Sequence, residues 1–153
     1  MKNKKGFTLI EMLIVITIIA VLASLILVGM GGAQARSRDS RRIADLHNMM
    51  NALDLYNSKH GFYPDYKQGK IASADDWDGF TKALKTETGV SSFPKDPLNT
   101  TKYFYRYAAS DELTDYILAA VLEQENPALR ETEEETTLGI SCGLSHMNYC
   151  IRP

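Results

Sequence analysis

The chain is poor in residues that break or staple a backbone. None of its five prolines precedes Pro64, and its two cysteines, Cys142 and Cys150, both lie near the end. With no proline in residues 7–60, nothing of that kind interrupts a helix there. Two cysteines leave room for one intramolecular bridge at most. Neither sign of charge is in large excess: the formal net charge is −2, so bulk electrostatics gives no reason to expect a nucleic-acid partner. There is no internal repeat, no phosphate-binding glycine loop and no nucleophile elbow. The three histidines, His47, His60 and His146, stand in unrelated contexts. No catalytic constellation emerges, so the chain does not read as an enzyme and calls for no cofactor. A length of 153 residues accommodates one domain with a modest core.

What the chain does have is segregation. It opens MKNKKG, with Lys2, Lys4 and Lys5, and then runs FTLIEMLIVITIIAVLASLILVGM over residues 7–30, where Glu11 is the one charge. As a helix this run is about 36 Å long, enough for a hydrocarbon core of about 30 Å. The leading lysines predict a cytoplasmic N-terminus, with the rest of the chain beyond the membrane. Arg36, Arg38, Arg41 and Arg42 on the far side oppose that orientation, but a single leading span usually dominates. Three plainer readings compete: a secretory signal cut after Ala35, a simple anchor, and a buried core helix. The run is longer than a signal-peptide core and carries a carboxylate near its start. A domain of this size could hardly cover it as a core helix.

Glu11 discriminates between these readings. A carboxylate within a span costs about 2.5–3.5 kcal/mol and needs a partner or a purpose. It lies five residues past Gly6. Cleavage between Gly6 and Phe7 would create a positive amine about one helical turn from it, in the same chain or on a staggered neighbour.

The stretch KKGFTLIEMLIVITIIAVLA closely resembles the signal of type IV pilins and type II secretion pseudopilins, with Gly6, Phe7, Thr8, Leu9, Ile10 and Glu11 matching in order. The resemblance is close over residues 1 to about 30 and weaker beyond. It implies cleavage between Gly6 and Phe7 by a prepilin peptidase and N-methylation of Phe7. It makes Glu11 the assembly residue, with Thr8 helping to pack the amino end. Many members carry a proline inside the apolar half. This chain has none, so any bent stretch is expected at Gly29, Gly31 and Gly32, where each glycine costs about 1 kcal/mol of helix stability.

Downstream, Ile43, Leu46, Met50 and Leu53 form a 3,4,3 stripe flanked by Met49 and Tyr56, with Arg42, Asp45, Asn48 and Lys59 opposite. Gly61 and Pro64 stop this pattern, so the helix is predicted from about Phe7 to His60, about 80 Å. The run RSRDSRR at residues 36–42 reads as a solvated helix face; binding of anionic lipid or nucleic acid is the disfavoured alternative. A short helix is predicted from Asp75 to about Lys85, with Trp77, Phe80 and Leu84 inward. The Pro94–Pro97 stretch resembles the proline-aspartate-proline approach to the sheet of major pseudopilins. Residues 103–108 and 116–122 read as a hairpin, the second strand central because it is apolar on both faces. Its tyrosines read as packing rather than as a sugar or nucleic-acid platform. Residues 124–137, with Glu131, Glu133, Glu134 and Glu135, read as a solvated loop. Related pseudopilins bind calcium, but neither this cluster nor Asp75, Asp76 and Asp78 has calcium-loop spacing, so no metal is expected. In an exported chain Cys142 and Cys150 most simply form a disulfide, pinning residues 142–150; a metal site with His146 would need another ligand.

The expectation is therefore an α+β fold: one long N-terminal helix, hydrophobic in its first half, packed on a small antiparallel sheet. Residues 1–6 form a removable leader, 7–32 the transmembrane or filament-core half of the helix, 33–60 its amphipathic half, and 61–153 a globular head. By resemblance the chain is a structural subunit of a type IV pilus or related filament. The alternatives are a type II secretion pseudopilin and a minor pilin binding DNA or substrate. C-terminal disulfide loops are frequent in filament-forming pilins and typically absent from the major secretion pseudopilin. The implied partners are other copies of the chain in a homopolymer, the prepilin peptidase, a platform membrane protein and an assembly ATPase. The precursor would sit in the cytoplasmic membrane as a single-pass protein, and the assembled filament outside the cell or in the periplasm.

Overall fold

The computed structural model describes residues 6–65, 74–132 and 134–153, apart from the side chains of residues 25–30, Ala74 and Asp75. The readings that concern Lys2, Lys4, Lys5, Glu133 and the side chain of Asp75 fall outside that description. The chain divides into two compact units, Met1–Ala35 and Arg36–Pro153.

Helix α1 comprises Leu9–His60. It ends where Gly61 takes φ +81° and its amide donates to the Asn57 carbonyl at 2.7 Å. This is the left-handed stop that glycine supplies without steric cost. Helix α2, Ala74–Thr88, ends the same way at Gly89, φ +72°, whose amide donates to the Lys85 carbonyl at 3.0 Å.

In the first unit, the side chains of residues 9–24 are exposed, among them Ile10, Leu13, Ile14, Ile16, Ile18, Ile19 and Leu22, while Ala35 is buried. Among the described residues no helix is long and apolar enough to cross a membrane.

The second unit is a helix-on-sheet sandwich. Strands β1, Arg106–Ala109, and β2, Tyr116–Val121, form an antiparallel hairpin with Tyr107 opposite Leu118. A short helix α3, Pro127–Glu131, and a small hairpin, β3 Thr136–Thr137 with β4 Ile140–Ser141, follow. Strand β5, Asn148–Ile151, then pairs antiparallel with β2 in the order β1-β2-β5. All six residues of β2 are buried, as a central strand covered on both faces requires. On one face Tyr105, Tyr107, Tyr116, Leu118 and Ala120 pack with Leu46, Met49 and Leu53 of α1 and with Trp77, Phe80 and Leu84 of α2. On the other, Ala108, Ile117 and Ala119 pack with Ile140 and Cys142.

Buried tyrosines need somewhere to send their hydroxyls. Tyr105 donates to Asp45 Oδ2 at 2.7 Å and Tyr107 to the Pro64 carbonyl at 2.8 Å. Phe80 stacks on Tyr107 with ring centroids 4.6 Å apart, and Trp77 meets Tyr105 edge-on at 5.3 Å. The aromatics are core packing.

Several expectations are corrected. β1 begins at Arg106 rather than Tyr103. Residues 124–137 are not simply a solvated loop: Asn126 caps α3 by accepting the Ala128 amide at 3.0 Å, and α3 buries Leu129. The buried stripe of α1 is turned by about one residue from the expected one. Met49 is fully buried and Ile43 and Met50 only partly, so the stripe runs Asp39, Arg42, Leu46, Met49, Leu53.

Leu53 is fully buried between α1 and the tyrosine layer. Leu53→Ala should lower unfolding stability by about 2–5 kcal/mol, measured by denaturant titration of the full chain in detergent.

Candidate functional site: the capped N-terminal helix and an ion-pair clasp

The N-terminal signal folds into a reciprocal cap. Thr8 stands just before α1. Its amide donates to Glu11 Oε2 at 2.8 Å and its hydroxyl to the same oxygen at 2.6 Å, while the Glu11 amide donates to Thr8 Oγ1 at 3.3 Å. The Thr-x-x-Glu spacing thus satisfies two of the amides a helix start leaves orphaned. The carboxylate also sits where the helix dipole favours negative charge. Gly6 and Phe7 lie outside the helix, and Phe7 is 80 % exposed. The structure therefore brings Thr8 and Glu11 together and leaves the Gly6–Phe7 bond on open, non-helical backbone. Cys142 and Cys150 are joined by a disulfide with Cα atoms 5.9 Å apart, tying β4 to β5. Among the described residues no group of three or more His, Cys, Asp or Glu side chains is arranged to hold a metal ion.

The second constellation lies wholly in Arg36–Pro153 and centres on Arg42, whose side chain has no exposed surface. Its Nε and Nη2 donate to the two oxygens of Asp96 at 2.7 and 3.1 Å. Its Nη1 donates to Asp39 Oδ1 and Glu123 Oε1, both at 2.7 Å. Arg38 grips Glu123 with two bonds, at 2.7 and 2.6 Å. Asp39 also accepts the amides of Glu123 and Gln124, at 2.9 and 3.1 Å, and Asp96 accepts that of Leu98 at 2.8 Å. The Tyr103 ring lies 4.9 Å from the guanidinium carbon. One arginine therefore binds α1, the Pro94–Pro97 segment and the chain leaving β2.

Burial opposes the Arg42 charge, but bonds to Asp96, Glu123 and Asp39 outweigh it and raise its pKa. The Arg38 and Arg42 bonds hold the Glu123 carboxyl down at about 2. Reading the arginine run as a solvated face was wrong for Arg42 and Arg38. The available signal was Asp39 and Arg42 continuing the 3,4 spacing of Leu46, Met49 and Leu53.

An exposed apolar helix with a reciprocal N-terminal cap, continued into an α+β head, defines a class of helix-anchored subunit. Comparison with known proteins identifies the family. Residues 1–27 match the family described as the prokaryotic N-terminal methylation motif. The type II secretion system core protein G of Escherichia coli K12 is 31 % identical over 97 residues, 62 % of this chain and 67 % of that protein. Its Aeromonas hydrophila counterpart is 34 % identical over 98 residues, 63 % and 68 % of the two chains. The type IV major pilin protein PilE of Neisseria gonorrhoeae is 34 % identical over 101 residues, 65 % and 60 %. No solved structure matches. The chain belongs to the type IV pilin and type II secretion pseudopilin family.

Arg42→Ala strands three carboxylates around an empty centre and should cost about 3–5 kcal/mol, read as a loss of denaturation midpoint. Because the Glu123 pKa is depressed in the folded state, its contribution is present above the unfolded carboxylate value and lost as pH falls toward about 2. The melting temperature should drop across that window, and Glu123→Gln should flatten the drop.

Proposed function

We propose that the chain is a structural filament subunit made as a membrane-held precursor, trimmed between Gly6 and Phe7 by a prepilin peptidase and methylated at Phe7. The observation that carries this reading is the methylation motif over residues 1–27, set on a helix whose described N-terminal side chains are bare. In the precursor, residues 1–6 are the leader, with Lys2, Lys4 and Lys5 in the cytoplasm, and residues 7–32 span the cytoplasmic membrane once. On assembly those residues leave lipid for the same residues of neighbouring copies, so little apolar surface meets water on the way. Residues 33–60 carry the head, residues 61–153, at the filament surface outside the cytoplasm.

Glu11 takes the Phe7 amine of a neighbour, which offsets the cost of burying its carboxylate. Thr8 keeps that carboxylate oriented, since both of its bonds fall on Oε2. Other copies, the peptidase, a platform membrane protein and an assembly ATPase are the partners this reading implies. The chain's relatives are structural subunits, and we assign it no enzymatic activity. A second reading, a secretion pseudopilin, is favoured by the likeness to core protein G; the bridge between Cys142 and Cys150 favours a pilus.

The deciding measurement is the mass of the mature N-terminal peptide from sheared filaments or native membranes. A peptide starting at methylated Phe7 is expected; one starting at Arg36 would overturn the proposal. Glu11→Ala should leave the precursor folded and abolish recoverable filaments, whereas a plain anchored binding module would tolerate it.

A further inference from the structure

Arg106 opens β1 and is half-buried, yet no carboxylate among the described residues lies within ion-pair distance of it. Its guanidinium lies 4.8 Å from the centre of the Phe104 ring, and its Nη1 donates a long bond, 3.3 Å, to Asn148 Oδ1. Burial alone lowers its pKa. Every other buried arginine charge described here, Arg42 above all, is matched by acids. A partly desolvated, unmatched charge is a standing cost unless something outside the monomer offsets it.

The opposite end of the same hairpin carries the complement. Asp111 and Glu112 stand exposed on the turn between β1 and β2, and neither has a described cation within ion-pair distance. The turn is braced. Leu113, at φ +56°, donates to the Ser110 carbonyl at 2.9 Å, and Ser110 Oγ accepts the amides of Thr114 and Asp115, both at 3.2 Å. The Tyr63 amide binds the Leu113 carbonyl at 2.8 Å. A rigid turn loses little entropy when its side chains dock. Arg106 pairs with Ala119 at the base, and Ala109 with Tyr116 at the tip, so about 10 Å of strand lies between Arg106 and the start of the turn.

We propose that these ends form a head-to-tail contact between copies of this chain, the Asp111–Glu112 tip of one hairpin docking on the Arg106–Phe104 shelf of the next. A contact between two different patches of one molecule leaves each patch free on one end copy, and it propagates as an open helical array wherever its rotation does not close into a ring. This rests on the filament reading above and names the surface that sets the register between heads.

The test compares the full-length chain with Arg106→Met, with Asp111→Arg/Glu112→Arg, and with Arg106→Glu alone and combined with that pair. Recovered filament and melting temperature of the detergent-solubilised subunit are both read. Removing an unmatched buried charge should leave the subunit melting temperature of Arg106→Met equal to or above wild type. Its filament yield should fall at least about tenfold, as expected for truncating one member of a desolvated charge pair. Each single-sided reversal should do the same, and the combined reversal should restore filaments.

Wild-type yield from Arg106→Met overturns the proposal. A lowered melting temperature accompanying the loss makes Arg106 a fold residue and overturns it too. Failure of the combined reversal to restore yield removes the hairpin tip as the partner. A wild-type chain that forms no filament at all instead refutes the filament reading on which the contact rests.

Discussion

Arg42 is held by three carboxylates from three separate parts of the chain, and the second unit is organised around it. A guanidinium with no exposed surface is tolerable only when its donors are matched, and here Asp39, Asp96 and Glu123 match them. Asp39 and Asp96 are held in turn by backbone amides of residues 98, 123 and 124, and Glu123 by Arg38. The network therefore specifies which turn of α1 meets the chain before β1 and the chain after β2. Hydrophobic packing alone would tolerate small slips of α1 over the tyrosine layer. A planar donor fork with fixed acceptors does not.

The Met1–Ala35 unit obeys a different constraint. The apolar side chains of residues 9–24 are bare, and the carboxylate of Glu11 sits among them. The Thr8 cap gives that carboxylate local partners without spending all of its acceptor capacity. Both of its local bonds fall on Oε2, which leaves Oε1 as a further acceptor. Arg42 has its counter-charges inside the chain, whereas among the described residues neither Glu11 nor Arg106 has an opposite charge within ion-pair distance.

Much of this was legible in the residues. The uninterrupted helix follows from the absence of proline before Pro64 and the glycine stop at Gly61. The Thr8–Glu11 cap is implicit in a four-residue spacing. The hairpin follows from period-two aromatics and an apolar second strand. Other parts were not legible for identifiable reasons. The segments β3, β4 and α3 are two to five residues long, too short to carry a period. β5 exists because β2 has a second edge to satisfy, which no local pattern announces.

Arg42 is the sharpest case of that division. Sequence by itself determined the long helix, the capped carboxylate near its start, the family signal and the existence of a buried stripe, because these depend on neighbours within one or two helical turns. Only the tertiary structure decided the rotation of that stripe and the burial of Arg42. The counter-charges that make its burial affordable, Asp96 and Glu123, lie 54 and 81 residues away along the chain, and a charged side chain reads as solvent-facing until its distant partners are in place.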